Sequence, residues 1–446
     1  MNENISAIST ARGVGGVAIV RVSGDTPLEI AKKMFIPLGK TKVENFEQYK
    51  MYTGEIDCGS FKDFGMCVYF KGPKSYTGED MVEFHCHGGI AVSEGVLKAT
   101  FKNGARPATN GEFTKRAFLN GKLSLSSAEG LIDMINSESE AGVKAGYYLY
   151  REKLNAKIKL LQDSLTYSLA EIDANIDYPE EGLEEVATEK TQESLKYVKE
   201  EVQKLISAYG TGRKIKNGVK VAICGKPNTG KSSILNALLS YDKAIVSSVA
   251  GTTRDVVEGE LDINGVNFLF FDTAGIRQSD DEIEKIGIDR SSDMIKQSDV
   301  CCFVVDGSRP SDDEDKAVYE KIKDKNVIII INKNDEKQVE CEYKADISVS
   351  AKTGDGIDGL KRLLYQKSFS SGIDLSADLL TEERHYYALK NALEYLNKAY
   401  EGIGIIPLDL ISVDMQRAWE YLGEISGNTA NENIINEIFS KFCVGK

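Results

Sequence analysis

"KVAICGKPNTGKSSILNALLS" (residues 220–240) is the stretch from which the fold can be read. KVAIC reads as a buried strand, GKPNTGKS (225–232) fits G-x-x-x-x-G-K-S, and SSILNALLS continues with helical spacing. A strand, a glycine-rich turn and a helix start in that order form a cradle for phosphate. The glycines let backbone N–H groups wrap the oxygens, and the helix N-terminus adds partial positive charge. Lys231 then reaches the β and γ phosphates, and Ser232 binds Mg²⁺.

From here to about residue 365, strands and helices alternate: NFLFFDTAG (267–275), VCCFVVDGS (300–308), VIIIINKND (327–335) and DISVSAK (346–352). That alternation predicts a doubly wound parallel sheet. DTAG (272–275) sets an acidic residue near Mg²⁺ and a glycine amide near the γ-phosphate, and NKND (332–335) and SAK (350–352) close two further strands.

With these four motifs in order, the region resembles the translation-factor-like GTPases. The resemblance implies guanine rather than adenine. Asp335 reads guanine N1 and N2, Asn332 and Ala351 read its other edge, and GTTRD (251–255) is switch I with Thr253 on Mg²⁺. The nucleotide contacts it implies in the phosphate loop are Asn228, Thr229, Gly230, Lys231, Ser232 and Ser233. From switch I they are Ser247, Ser248, Val249, Ala250, Gly251, Thr252 and Thr253. Asp272, Thr273, Ala274 and Gly275 follow, then Asn332, Lys333, Asp335, Ser350, Ala351 and Lys352. One position departs from an ordinary GTPase: Ile276 stands where Ras-like proteins place the Gln that orients water. Arg254 and Arg277 lie nearby, but neither is assignable as an arginine finger.

Outside this region the pattern changes. GVAIVRVSG (16–24), GMCVYF (65–70) and MVEFHCHGG (81–89) read as strands of a mixed α/β segment, with TPLEIAKKMF (26–35) helical. SSAEGLIDMINSESEAGVKAG (126–146), LNAKIKLLQDSLTYSLAEIDANI (154–176) and TEKTQESLKYVKEEVQKLISAYG (188–210) each read as an amphipathic helix, broken at DYPEEG (177–182). GTGRKIKNG (210–218) reads as a Gly/Lys linker. Helical periodicity resumes in ALKNALEYLNKAYEG (388–402) and LISVDMQRAWEYLGEISG (410–427), so the α/β region reads as an insertion into a helical domain.

Composition narrows the partners. Lys plus Arg is 55 against 69 Asp plus Glu, a formal charge of −14, which lacks the general basic footprint of a nucleic-acid binder. The 446 residues suit two to four domains. No apolar run is long enough to span a bilayer, and MNENISAIST carries no secretory pattern, so a cytoplasmic protein is expected. The eight cysteines include no C-x-x-C, which fits reduced thiols. The last five residues, FCVGK (442–446), do not suit prenylation.

GGVAIVRVSG, SYTGEDMVEFHCHGG, GEFTKRAFLNGKLSLSSAEGLIDMI, the inserted nucleotide domain and FCVGK together resemble the MnmE (TrmE) family of tRNA-modifying GTPases, over about 5–446. The resemblance implies a multidomain α/β and α architecture. An N-terminal α+β folate-binding and dimerisation domain (1–120) precedes a discontinuous helical domain (121–212 and 371–446), with a Ras-like P-loop GTPase domain (213–370) inserted. It also implies an FAD-containing partner, MnmG (GidA), and modification of C5 of the tRNA wobble uridine. The one-carbon unit comes from 5,10-methylene-tetrahydrofolate, or sits there as a formyl-tetrahydrofolate analogue.

Folate contacts carry over to Arg21, Glu83, Lys122 and Lys446. Without the family, Arg21 and Glu83 read as an internal ion pair and Lys122 as solvated surface. The family further implies a K⁺ ion in place of an arginine finger, held by Asn228, Ser247, Val249 and Thr252 when two GTPase domains meet. Glu284 then orients water. Cys443 is either a nucleophile or acid/base near the folate, or a small apolar filler. His85, Cys86 and His87 read as structural rather than metal-binding. The competing function is a regulatory or ribosome-assembly GTPase without transferase chemistry. The acidic balance leaves much of the tRNA grip to the partner.

Overall fold

A computed structural model describes residues 3–177, 184–240, 257–272, 293–369, 372 and 379–446. The chain divides into two compact units: 1–132 with 149–195 and 394–446, and 133–148 with 196–393.

The first unit holds a seven-stranded sheet. Its strands are β1 (Ile5–Ile8), β2 (Val17–Gly24), β3 (Phe35–Pro37), β4 (Met51–Asp57), β5 (Lys62–Phe70), β6 (Asp80–His87) and β7 (Arg106–Pro107), ordered β3-β4-β5-β6-β2-β1-β7. All neighbours are antiparallel except β1 with β7. One face packs on helices Pro27–Met34 and Ile90–Lys102 through Val20, Val22, Val82, Phe84, Met34 and Val96. Pro27 opens its helix where a missing N–H is harmless, as its sequence position predicts. Strand alternation sends Arg21 and Glu83, which are register partners, to the opposite face. Near β1 that face is covered by Phe113, Ala108 and Tyr76. Toward β3–β5 it is bare, with Met51 54%, Phe64 52% and Ile36 50% exposed.

Helix Lys153–Asp177 of this unit buries Leu154, Ile158, Leu161, Leu165 and Ile172 at helical spacing and packs on Leu408–Ser426. A final helix, Glu432–Ser440, lies on Glu112–Leu119.

The second unit carries six strands: β8 (Val219–Cys224), β9 (Gly259–Ile263), β10 (Val266–Asp272), β11 (Val300–Asp306), β12 (Val327–Asn332) and β13 (Ile347–Ser348), ordered β13-β12-β11-β8-β10-β9. The sheet is parallel except at its β9 edge. β9 turns into β10 through Asn264 and Gly265, both at positive φ (55° and 80°). Asn-Gly between ELDI and VNF is the local signature of such a hairpin. DISVSAK contributes only the two residues of β13.

Two helical expectations need correction. Residues 126–146 do not form one helix but parts of two, Leu125–Asn136 and Glu140–Tyr150. Ser139 Oγ accepts from Gly142 N (3.1 Å) and caps the second, which is what a serine-rich joint can do and a continuous helix cannot. GTGRKIKNG is not a linker: residues 210–217 are the end of the helix Glu184–Asn217. A Cβ at Gly212 would lie 2.1 Å from Leu380 O, so this glycine permits close backbone packing rather than flexibility. Ile215 is buried, and Lys216 reaches both Asp133 (2.8 Å) and Glu382.

Candidate functional site

The phosphate loop joins β8 to helix Lys231–Ser240 in the second unit. Thr229 Oγ1 (3.0 Å) and Lys231 Nζ (2.8 Å) both donate to Lys226 O, which folds the loop on itself. Asn228 has φ 65° and is exposed, as are Ser232 and Ser233 in the first helical turn. Asn332, at the end of β12, backs the loop: its Nδ2 donates to Thr229 O (2.9 Å). A Cβ at Gly230 would sit 2.1 Å from that nitrogen. Asn332 Oδ1 also accepts from Ala351 N (3.2 Å).

Other residues expected at the guanine gather around this asparagine. Ser350 Oγ donates to Asp335 Oδ1 (2.6 Å), and Lys352 Nζ lies 3.8 Å from Asp335 Oδ2. The serine bond, with a smaller pull from Lys352, holds the Asp335 carboxyl below the usual carboxylate range. The Asp335 carboxylate, 18% exposed, is thus an ionised acceptor-only group, suited to two N–H donors on one edge of a base. Lys333 sends its Nζ to Asp306 Oδ2 (2.7 Å). Asp272 ends β10 opposite Ile223, one strand from the loop. Ser247, Ser248, Val249, Ala250, Gly251, Thr252, Thr253, Thr273, Ala274, Gly275, Ile276 and Glu284 lie outside the described residues.

The first unit assembles a second constellation. Arg21 Nε donates to Glu83 Oε1 (2.8 Å), and its guanidinium lies over Tyr76 (5.2 Å) and Phe113 (5.7 Å). His85 Nε2 lies 3.4 Å from Glu83 Oε2. Burial alone pushes the Glu83 carboxyl up, but His85 and Arg21 outweigh it and leave it below its ordinary value. His87 pairs instead with Asp63 (2.7 Å). The ion pair expected without the family is therefore present, and one edge of it is open: Arg21 retains 18% and Glu83 11% side-chain exposure.

Lys122 is exposed and donates to Pro73 O (2.9 Å). Residues 443–446 make backbone contacts with 8 and 110–111. Val444 bridges Asn110, Cys443 O accepts from Gly111 N (3.5 Å), and Lys446 N donates to Cys443 O (3.4 Å). At Gly445 (φ 103°) a Cβ would lie 2.1 Å from Ile8 O. Only glycine fits there, and it seats the tail on β1, the strand paired with that of Arg21. Cys443 is exposed.

Sequence reasoning missed Lys226 and the acidic turn Asp306, Asp312 and Asp315 as neighbours of the loop. The turn's S-D-D-E-D spelling (311–315) was a readable helix start, and Asp312 and Asp315 form a capping box there.

A glycine-rich loop from a central parallel strand into a helix, with NKND and SAK at the ends of neighbouring strands, is the arrangement of a P-loop GTPase domain. The MnmE helical domain family matches residues 125–443, and the GTP-binding protein TrmE N-terminus family matches 4–122. The tRNA modification GTPase MnmE of Acetivibrio thermocellus is 39% identical over all of this chain and 99% of its own length. That of Desulforamulus reducens is 38% identical over the full length of both. A crystal structure of Aquifex aeolicus Era bound to GDP·AlF4⁻ is 28% identical over 39% of this chain and 65% of that one, with a TM-score of 0.27. The chain belongs to the MnmE (TrmE) family of tRNA modification GTPases. It is a GTP-hydrolysing enzyme of tRNA modification, with GTP as substrate and a general dependence on Mg²⁺. Among the described residues, no helix is long and apolar enough to cross a membrane.

Proposed function

We propose that this GTPase is K⁺-stimulated and works in the cytoplasm with the FAD-containing partner MnmG (GidA). The pair installs an aminomethyl or carboxymethylaminomethyl group at C5 of the tRNA wobble uridine. Folate supplies the one-carbon unit, bound at Arg21, Glu83, Lys122 and Lys446, with Cys443 beside it. The observation that carries this reading is the tail 443–446 seated on β1, next to the strand that bears Arg21. A guanidinium flanked by two rings, with a carboxylate in reach, has the chemistry to grip the pterin and glutamate parts of a folate. The division into 1–120, 121–212 with 371–446, and 213–370 belongs to the same proposal.

Homodimerisation through the N-terminal sheet is supported by its bare apolar patch at Met51, Phe64 and Ile36. In the nucleotide domain, Ser232 and Thr253 hold Mg²⁺, while Asn228, Ser247, Val249 and Thr252 hold K⁺. Asn228 is exposed on the phosphate loop, where its amide oxygen is open to a cation. A fixed positive charge there stabilises charge that develops between the β and γ phosphates. This role is needed because Ile276 cannot orient water, and Glu284 supplies that orientation when two GTPase domains meet.

The test is GTP turnover by the full chain in K⁺ and in Na⁺ at matched ionic strength. Strong stimulation by K⁺, lost in Asn228→Ala, is expected. Equal rates in both salts would remove the K⁺ assignments.

A further inference from the structure

We propose that Lys226 is a positioning residue for GTP binding, anchored by the acidic turn 306–315, and that this anchor fixes the phosphate loop against the guanine-side loop. The inference rests on the assignment of 225–232 and 332–335 to the nucleotide.

Lys226 is the second residue of the phosphate loop, yet its side chain points away from the loop's own bonds and is only 13% exposed. Its ammonium pairs with Asp312 and lies 3.9 Å from Glu314 and 3.8 Å from Asp315. Asp312 does two jobs. Its Oδ1 caps helix Asp313–Ile322 by accepting from Glu314 N (3.1 Å) and Asp315 N (3.2 Å), and its Oδ2 meets Lys226. The Lys226 bond and the cap bond hold the Asp312 carboxyl down to about 2.

The chain of charges continues. Arg309 lies 3.3 Å from Asp312 and 3.1 Å from Asp315, whose side chain is 0% exposed. Arg309 Nε is 3.8 Å from Asp306 Oδ2, and that oxygen accepts from Lys333 Nζ (2.7 Å). Lys333 belongs to NKND and adopts φ 64°. The two nucleotide loops are thus tied twice, by Thr229–Asn332 inside and by this ion chain outside.

Exposed ion pairs contribute little, but this network includes an enclosed carboxylate that needs its partners. Its strategic point is Lys226. One residue's carbonyl receives both Thr229 and Lys231, so the place of its side chain sets where Lys231 waits. A preset loop raises affinity for GTP and GDP alike and leaves the chemical step alone.

The experiment measures binding of a fluorescent GDP and of a non-hydrolysable GTP analogue, with KM and kcat, in the full chain. The variants are Lys226→Met, Lys226→Arg, Asp312→Ser and the Met/Ser double variant. Asp312→Ser keeps a capping oxygen while removing the charge, so the helix stays capped. Lys226→Met and Asp312→Ser each weaken both nucleotides by about tenfold and raise KM with kcat within about twofold, Lys226→Arg recovers most of the loss, and the double variant is no worse than either single one. A Lys226 that acted by touching phosphate would leave Asp312→Ser neutral or tighter, which overturns the proposal. Unchanged affinity in Lys226→Met, or additive losses in the double variant, also overturns it. Failure of the wild-type chain to bind GDP would instead strike the nucleotide assignment itself.

Discussion

The two sheets of this chain meet their surroundings differently. In β8–β13, apolar residues are buried on both faces: Val221, Phe268 and Phe270 on one, Ala222, Phe303 and Val305 on the other. In β1–β7, one face is buried and the β3–β5 part of the other is bare. Parallel strands connected by helices are covered on both sides by construction, whereas antiparallel strands need cover on one side only. The parallel sheet therefore keeps its chemistry at its strand ends, in loops. The antiparallel one carries a charged pair, Arg21 and Glu83, on the face itself, beside a patch suited to association.

The largest expected effect of that difference is on stability. Phe268→Ala, at a fully buried position, should cost about 3–5 kcal/mol in denaturant titration. Phe64→Ala, 52% exposed, should cost under about 1 kcal/mol in the monomer and instead weaken self-association in sedimentation. Equal losses at the two positions would break the comparison.

Next comes the loop end of the second sheet. Gly230→Ala places a Cβ against Asn332 at φ 92°, and should weaken GDP binding by more than about tenfold with little change in far-UV CD.

A smaller effect is tied to pH. Burial and the Glu382 charge push the Asp133 carboxyl up to about 8, against the pull of Lys216. The folded chain holds a proton that the unfolded chain releases near 3.8. Its contribution to stability is whole below that pH, declines as pH rises, and is gone above about 8. Asp133→Asn should flatten this decline in urea titrations.

The smallest effect runs the other way in the first unit. Glu112 is held down to about 2: burial pushes it up, but Arg106, Thr109 N–H and Arg116 outweigh that. Its contribution is present above the ordinary value of 4.5 and is lost as pH falls toward about 2, so Glu112→Gln should weaken the loss of stability on acidification.

The nucleotide region was legible because its strands are short apolar runs punctuated by motifs whose residues act locally. β8, β10, β11 and β12 each end at or just before GKPNTGKS, DTAG, DGS or NKND. What was not legible depends on distant partners. Gly210 and Gly212 carry the local signature of a linker, and only the backbone of Leu380 shows why a glycine belongs in that helix. The role of Lys226 was not readable, because its anchor Asp312 is 86 residues away in sequence. The seating of the last residues was not readable, since their pairing with Asn110 and Ile8 cannot be seen in local pattern. Arg21 and Glu83 were readable as a pair by strand alternation, but the two rings beside the guanidinium were not.

In the proposed function the first sheet holds a folate while the second holds the guanine nucleotide. The most direct measurement is titration of the full chain with 5-formyl-tetrahydrofolate, for the wild type and Arg21→Met, with GDP binding followed in parallel. Saturable folate binding that Arg21→Met weakens by more than about tenfold, with GDP affinity unchanged, is expected. A wild-type chain that binds GDP but no folate, or an Arg21→Met chain that binds folate as well as the wild type, would contradict it.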